Sequence, residues 1–213
     1  MIDLHTHTLF SDGEMIPAEL TRRAAVLGYR AIALTDHGDL SNLDLIIPRV
    51  VRVADDLSVQ WGLKVVAGIE LTHVPPRQYA EATVEARKLG AVIVNAHGET
   101  IVEPVAAGTN MAAIEAGVDI LTHPGLVTDE ETALATQKGI CLEITTRKGH
   151  SLANGHVVQM ARKHKAKLVI NNDAHAPGDL LKGELVRQIA LGAGMTEDEI
   201  NQATLNSEQL AGI

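Results

Sequence analysis

The chain has 213 residues, a net charge of −9 and a hydrophobic content of 46%. A chain this apolar can bury a core, which excludes disorder as its main state, and its negative charge and four aromatic residues disfavour nucleic acid as a partner. The single cysteine, Cys141, excludes an internal disulfide, and no apolar run approaches the roughly 18 residues of a membrane span. We therefore expect a soluble, cytoplasmic protein that binds neither duplex nucleic acid nor a membrane, with Cys141 as a core residue.

Seven short apolar segments recur along the chain and are predicted to form buried strands. A strand covered on both faces shows a continuous apolar run, whereas a half-exposed strand alternates. In chain order the segments are Ile2-Leu4, Ala31-Leu34, Val65-Ile69, Val92-Val94, Val118-Leu121, Ile140-Ile144 and Leu168-Ile170.

The stretches between these segments carry helix signals. Pro17 suits the first turn of a helix that stops at Gly28, and the helical period of residues 78–89 ends at Gly90. Two later helices are predicted from capping boxes, at Thr128 with Glu131 and at Thr196 with Glu199.

The alternation of strands and helices predicts an α/β fold of parallel strands, either an open sheet or a closed barrel. No stretch has the composition of a linker, so residues 1–213 are predicted to form a single domain. Every predicted strand carries metal-ligand or charged residues at or just beyond its C-terminal end, and these share one pocket only if the sheet closes into a barrel. These residues are His5, His7, Asp36, His37, Glu70, His97, His123, Glu143, Arg147, Asp173 and His175.

Histidines and carboxylates at these strand ends form a candidate metal centre. The imidazoles of His5 and His7 lie on the same side of a strand, because successive side chains alternate between its faces. Nine candidate ligands are too many for one ion, so the pattern predicts two or three divalent ions, with Glu70 able to bridge a pair. The nine are His5, His7, Asp12, His37, Glu70, His97, His123, Asp173 and His175.

This pattern resembles the PHP (polymerase and histidinol phosphatase) family over residues 2 to about 180. Its motifs are His5-x-His7-x4-Asp12-Gly13, Thr35-Asp36-His37, Gly68-x-Glu70, His97, His123-Pro124 and Asp173-x-His175. The resemblance implies a distorted (β/α)7 barrel with a trinuclear metal centre at the C-terminal ends of its strands. It assigns the first ion to His5, His7, Glu70 and Asp173, the second to Glu70, His97 and His123, and the third to Asp12, His37 and His175.

Two positions depart from the family pattern. Gly98 follows His97 where many members have proline, and Asp12 stands where the family often has histidine. The second departure bears on the metal preference of the third site.

The charge of the predicted centre points to a phosphate ester as substrate. Three divalent ions against Asp12, Glu70 and Asp173 would leave about three positive charges, and about two once hydroxide is bound, which match a phosphate monoester dianion. Because a metal lowers the pKa of bound water to about 7, we assign catalysis to Glu70, Asp173 and His175 through a metal-bound hydroxide. Zinc, manganese or iron suits these ligands, and a small phosphorylated metabolite of the histidinol phosphate type or a nucleotide is the predicted substrate.

Several residues outside the ligand set receive supporting roles. Arg147 and Lys148 follow the one strand without a family metal ligand and are predicted to bind the phosphate. Asp36 should point away from the site and orient a ligand from behind, and Glu143 is expected to act similarly or to be structural. Four histidines have no place in the pattern, although one of them, His150, could touch substrate: His73, His150, His156 and His164.

Two other functions fit parts of the pattern. An amidohydrolase-like enzyme that cleaves C–N or C–O bonds also opens with H-x-H on a barrel strand, but such enzymes usually have eight strands and often a bridging modified lysine. A non-catalytic PHP-like binding module would be indicated by lost ligands, and none of the nine positions is lost.

Overall fold

Seven parallel strands in the order β1-β2-β4-β5-β6-β7-β8 form the sheet of the computed structural model, which describes all residues from Met1 to Ile213. The predicted seven segments are confirmed, with ends that shift by a few residues. An additional two-residue strand, β3, pairs with β4 beside the end of β2 and continues it after a short break. The strands are β1 (Ile2–Asp3), β2 (Ala31–Leu34), β3 (His37–Gly38), β4 (Lys64–Leu71), β5 (Ile93–His97), β6 (Ile120–Thr122), β7 (Cys141–Thr145) and β8 (Lys167–Asn171).

The sheet curls until its first and last strands meet. The backbone N–H of His7 donates to the Ala174 carbonyl at 2.8 Å, and Thr6 forms a parallel bridge with Ala174. Lower down, the N–H of Leu4 donates to Oδ1 of Asn171 at 2.8 Å. These contacts nearly close the sheet into the predicted barrel.

Eight helices surround the barrel, and their ends follow the sequence signals. Pro17 is the first residue of α1, and both predicted capping boxes form, with the Thr128 and Thr196 side chains accepting the backbone N–H three residues later. The helices are α1 (Pro17–Val26), α2 (Leu43–Trp61), α3 (Tyr79–Lys88), α4 (Thr109–Ala116), α5 (Asp129–Lys138), α6 (Asn154–His164), α7 (Gly183–Gly192) and α8 (Glu197–Ala211). Short 3₁₀ turns occupy Pro76–Gln78, His150–Ala153 and Pro177–Asp179. None of these helices combines the length and the apolar character needed to cross a bilayer.

The apolar core has two parts. The larger cluster, of 43 buried residues, lies mainly between the barrel and the helices, whereas a cluster of 10 residues fills the barrel interior and includes Ala211 at the end of α8. The other interior residues are Ile2, Leu4, Ala31, Ala33, Val66, Ile93, Ile120, Cys141 and Val169.

The barrel interior changes from apolar to polar along each strand. In β5 the alternate positions run from Ile93 through Asn95 to His97, and in β7 Glu143 follows Cys141. The Asn95 side chain donates to the carbonyl of Leu4 at 2.9 Å, although β5 and β1 are not neighbours in the sheet, so it crosses the interior. The apolar layer thus lies beneath the polar layer, which occupies the C-terminal end of the barrel.

We predict that Cys141 is inert in the folded protein. Burial raises the pKa of its thiol to about 11, so at pH 8 roughly one thiol in a thousand is ionised, and the side chain is buried in the barrel interior. Iodoacetamide should label Cys141 only after unfolding in guanidinium chloride, as followed by mass spectrometry. Labelling of the native protein at the rate of a free thiol would contradict this packing.

Candidate metal centre

The C-terminal ends of the strands bring all nine predicted ligands together at one end of the barrel. The six histidines among them form a continuous group, in which neighbouring ring centroids are between 4.1 and 6.2 Å apart. The group is made of His5, His7, His37, His97, His123 and His175, with the carboxylates of Asp12, Glu70 and Asp173 between the rings.

The residues assigned to the first ion form the buried part of this group. His5 Nε2 lies 3.0 Å from Glu70 Oε1 and 3.6 Å from Asp173 Oδ1, and His7 Nε2 lies 3.1 Å from Asp173 Oδ1. Neither Nε2 atom has a hydrogen-bond partner, and an unsatisfied buried polar atom costs about 1–3 kcal/mol. An ion among these atoms would satisfy both nitrogens, so the donor set fits a divalent metal.

The residues assigned to the third ion meet nearer to solvent. Oδ1 of Asp12 lies 3.4 Å from His37 Nε2 and 3.3 Å from His175 Nε2. The His7 ring stacks on that of His175, and one donor atom from each of these four residues falls within 4.8 Å of the others. The Asp12 side chain is exposed, so this pocket opens to the outside.

The residues assigned to the second ion are only partly assembled. His123 Nε2 lies 3.7 Å from Glu70 Oε1, within reach of a shared ion. His97 Nε2, by contrast, lies 3.2 Å from Oε2 of Glu103, a residue outside the predicted set. The structure therefore joins Glu70 with His123 and places His97 against a different carboxylate.

The histidines of the buried group fall into two classes by protonation. Burial and the neighbouring imidazoles hold the pKa of His7 and of His123 well below the usual histidine value. Burial also disfavours charge on His5 and His37, but the adjacent carboxylates outweigh it, raising the pKa of His5 well above its usual value and that of His37 to about 10. Burial alone would raise the pKa of Glu70, but the charges of these imidazoles outweigh it and keep that pKa well below its usual value. A metal ion that binds here would take the place of the protons on the charged rings, because only neutral imidazoles are ligands.

Glu143 orients two ligands from below. Its Oε1 accepts hydrogen bonds from His5 Nδ1 at 2.8 Å and from Asn171 Nδ2 at 2.9 Å, and its Oε2 accepts the backbone N–H of His123 at 2.9 Å. A hydrogen bond at Nδ1 directs the Nε2 lone pair of His5 at the site. The bond to His123 also holds that residue in the left-handed backbone region, at φ +26°.

Asp36 acts on a loop rather than on a ligand ring. Its buried carboxylate accepts the Thr8 N–H at 2.6 Å and the Thr8 and Ser11 hydroxyls at 2.9 and 3.0 Å. These bonds hold the turn that presents Asp12, so Asp36 positions a candidate ligand through the backbone.

Of the two residues predicted to bind phosphate, only Arg147 lies in the cavity above the ligand group. Arg147 lines a polar cavity of about 300 Å³ above the ligands, with its Nε 3.9 Å from Asp173 Oδ2 and its Nη1 donating to Asp179 Oδ2 at 3.0 Å. Lys148 lines only a neighbouring cavity, which Arg147 also borders. The walls of the first cavity contain no hydrophobic residue and consist of Asp12, His37, Thr72, His73, His97, Glu103, Arg147, His150, Asp173 and His175.

Four wall residues lie outside the predicted site set: Thr72, His73, Glu103 and His150. Glu103 follows β5, His73 follows β4, and His150 is buried with its ring stacked on His123 at a centroid distance of 4.3 Å. The sequence signal that could have identified these residues is their position in loops that follow strand ends, but no short motif marks them. The two remaining histidines lie away from the cavity: His156 contacts the Val127 carbonyl and His164 contacts Asp129.

A profile described as "PHP domain" matches residues 3–150, and the chain belongs to this family. An uncharacterized protein of Methanocaldococcus jannaschii is 47% identical over 206 residues, covering 96% of this chain and 94% of its own. A protein of Clostridium botulinum named "Probable phosphatase" is 23% identical over 201 residues, covering 82% of this chain and 79% of its own.

Two solved structures share the fold. A chain in the cryo-EM structure of archaeal ribonuclease P with mature tRNA has a TM-score of 0.70 at 16% identity, covering 98% of this chain and 90% of that one. Histidinol phosphate phosphatase from Lactococcus lactis, crystallised with zinc, L-histidinol and phosphate, has a TM-score of 0.65 at 16% identity, covering 92% and 94%. At these identities the likeness shows a common barrel.

We predict that Glu143→Gln weakens metal binding without unfolding the protein. The amide keeps the shape of the side chain but no longer accepts the His5 N–H as a charged group, and loss of such a partner costs about 10- to 100-fold in metal affinity. Zinc affinity should be measured by competition with a chromophoric chelator. Glu115→Gln, an exposed change of the same kind on α4, is the control, and equal affinities for both variants would contradict the orienting role of Glu143.

Proposed function

We propose that the protein is a metal-dependent phosphomonoesterase that hydrolyses a small phosphorylated metabolite, of the histidinol phosphate type or a nucleotide. The observation that carries this proposal is the placement of Arg147 above the ligand group, in the wall of the same open cavity. Membership of the PHP family supports it.

Two or three divalent ions, drawn from zinc, manganese and iron, would occupy the ligand group. The first would be held by His5, His7, Glu70 and Asp173, and another by Asp12, His37 and His175, while Glu70 and His123 offer donors between them. Bound ions supply a nucleophile from water at neutral pH and polarise the phosphoryl oxygens. Glu70, Asp173 and His175 serve catalysis by holding those ions in place.

The charge of the ligand group supports an anionic substrate. Only three carboxylates stand among the nine ligands, so the ions would leave a net positive charge that favours a phosphate dianion. The cavity of about 300 Å³ is the size of a small-molecule site. A net chain charge of −9 disfavours a duplex nucleic acid as substrate.

Arg147 is placed to bind the phosphoryl group. Its guanidinium borders Asp173 on one side and is tethered by Asp179 on the other. Asp179 also accepts the backbone N–H groups of His175 and Ala176, at 3.0 and 2.9 Å. This tether couples the guanidinium to the loop that carries a ligand, so that both face one substrate.

The amidohydrolase alternative receives less support. The cavity wall contains no lysine, and the position between the ligand clusters is held by Glu70.

Residues 1–213 act as one domain in this proposal. The family profile ends at residue 150, yet Asp173 and His175 lie beyond it and complete the ligand group. Helix α8 packs under the barrel, where the Asn206 side chain donates to the Leu168 carbonyl at 2.8 Å.

We predict phosphate release from a panel of monoesters in the presence of Mn²⁺ or Zn²⁺, and its loss in Glu70→Gln. The amide removes the charge that faces His5 and His37, so metal content measured by elemental analysis should fall by roughly one equivalent together with activity. His164→Ala, remote from the cavity, is the control. Full metal occupancy of the native protein without turnover of any phosphoester would overturn the proposal.

We predict that Arg147→Ala raises KM for the best monoester by roughly 10- to 100-fold, the equivalent of one lost hydrogen bond to a charged group. Metal content should stay at the native level, since Arg147 is not a ligand. Arg49→Ala, on the exposed face of α2, should leave KM unchanged. A KM for Arg147→Ala equal to that of the Arg49 variant would remove Arg147 from the substrate site.

A further inference from the structure

The loop after β5 presents apolar side chains at the surface beside the cavity. Residues 101–107 read Ile-Val-Glu-Pro-Val-Ala-Ala, with Glu103 as the only charged residue, although 21% of the whole chain is charged. Ile101 and Val102 are 51% and 47% exposed. Single exposed apolar residues are common on protein surfaces, whereas adjacent ones beside a ligand cavity indicate a contact surface.

Two neighbouring loops extend this surface. Leu126 follows β6 and is 64% exposed, and Leu152 lies in the 3₁₀ turn after β7 and is 72% exposed. Strands β5, β6 and β7 are consecutive in the sheet, so the three loops are neighbours at the C-terminal end of the barrel. We call these four aliphatic residues the apolar rim: Ile101, Val102, Leu126 and Leu152.

Direct contacts hold the three loops together. His150 Nδ1 lies 2.7 Å from the Thr100 hydroxyl oxygen. Val102 packs against the backbone of Gly149, where a Cβ atom would lie 3.6 Å from the nearer Val102 methyl group. The side chain of Asn110, just beyond the loop after β5, donates to a carbonyl in the loop after β6 at 2.9 Å. The rim is therefore a surface that the fold assembles rather than a set of independent side chains.

The apolar rim adjoins the wall of the cavity. Val102 immediately precedes the wall residue Glu103, and Leu152 lies two residues beyond the wall residue His150. The wall itself contains no hydrophobic residue, so it suits a phosphoryl group and offers no contact surface to a hydrocarbon. A chain that extends from the phosphoryl group past these two residues meets the rim, where contact with aliphatic side chains removes apolar surface from water.

A second copy of the chain is a less suitable occupant of the rim. Each copy carries a net charge of −9, and two surfaces of the same sign repel each other as they approach. An apolar group on a small ester meets no comparable barrier. Continuity between the rim and the cavity favours a ligand that occupies both at once.

We propose that the apolar rim determines substrate specificity by binding a hydrocarbon portion of the leaving group. The inference rests on the proposed phosphatase function and narrows its substrate to small phosphate monoesters with an aliphatic chain. Val102 and Leu152 are the specificity-determining residues, because they adjoin the cavity wall. Hydrophobic stabilisation is proportional to the apolar area removed from water, so the affinity for such esters should grow with chain length.

A series of n-alkyl phosphates from methyl to hexyl tests this preference in the Mn²⁺-loaded protein. A fully buried methylene contributes about fourfold in affinity. A chain on an open surface loses water from one side only, so kcat/KM should rise roughly twofold per methylene. The matching n-alkylphosphonates, which cannot be hydrolysed as esters, should show the same trend in Kd by isothermal titration calorimetry.

Val102→Thr and Leu152→Asn keep the side-chain size and remove apolar surface. The combined variant should hydrolyse methyl phosphate with the native kcat/KM but lose most of the chain-length dependence, roughly tenfold in kcat/KM for hexyl phosphate. Leu205→Asn, which changes an exposed leucine on α8 away from the cavity, is the matched control and should keep the native dependence.

The outcomes separate this inference from the proposed function. Hydrolysis of all the esters without chain-length dependence would overturn the inference and leave the phosphatase function in place. Absence of hydrolysis, with phosphonate affinities that rise with chain length, would overturn the phosphatase function and support the rim as a binding surface. Phosphonate affinities independent of chain length would overturn the inference in either case. So would a native dimer that Leu152→Asn dissociates in light scattering, because a second copy would then cover the rim.

Discussion

The burial of Glu70 among imidazoles is the constraint on which the site depends. A carboxylate without solvent is strongly destabilising unless cationic or hydrogen-bonding partners surround it. One oxygen of Glu70 faces His5 and accepts the Thr122 hydroxyl, and the other faces His37. Residues from three other strand ends must therefore stay in register around the Glu70 side chain, and the polar upper half of the barrel interior follows from that requirement.

Much of the architecture was predictable because buried parallel strands leave a plain signature. The apolar run 168–170 and the segment 140–144, apolar except for Glu143, located β8 and β7, and the capping boxes at Thr128 and Thr196 located the starts of α5 and α8. The two-residue strand β3 was not predicted, because His37–Gly38 is too short to show a hydrophobic pattern of its own. The closure of the barrel could be inferred only from the polar residues at the strand ends.

The candidate site was predictable where ligands follow strands and not where loops fold back. His5, His7 and Asp173 occupy the positions that their motifs indicate. Glu103 has no motif, and its approach to His97 depends on the path of the loop after β5, which local sequence does not encode. The different positions of Lys148 and Arg147 have a similar origin: in the turn after β7, Arg147 borders both cavities, whereas Lys148 borders only the second.

The seam between the first and last strands has a mechanical consequence. Thr6 meets Ala174 there, and ligands flank both sides of that contact: His5 and His7 on one chain segment, Asp173 on the other. An ion held by these residues would act as a clasp across the seam. Fraying of the N-terminal segment and escape of the ion would then be one event, so that coordination chemistry would secure the two-residue strand β1 in addition to its backbone pairing.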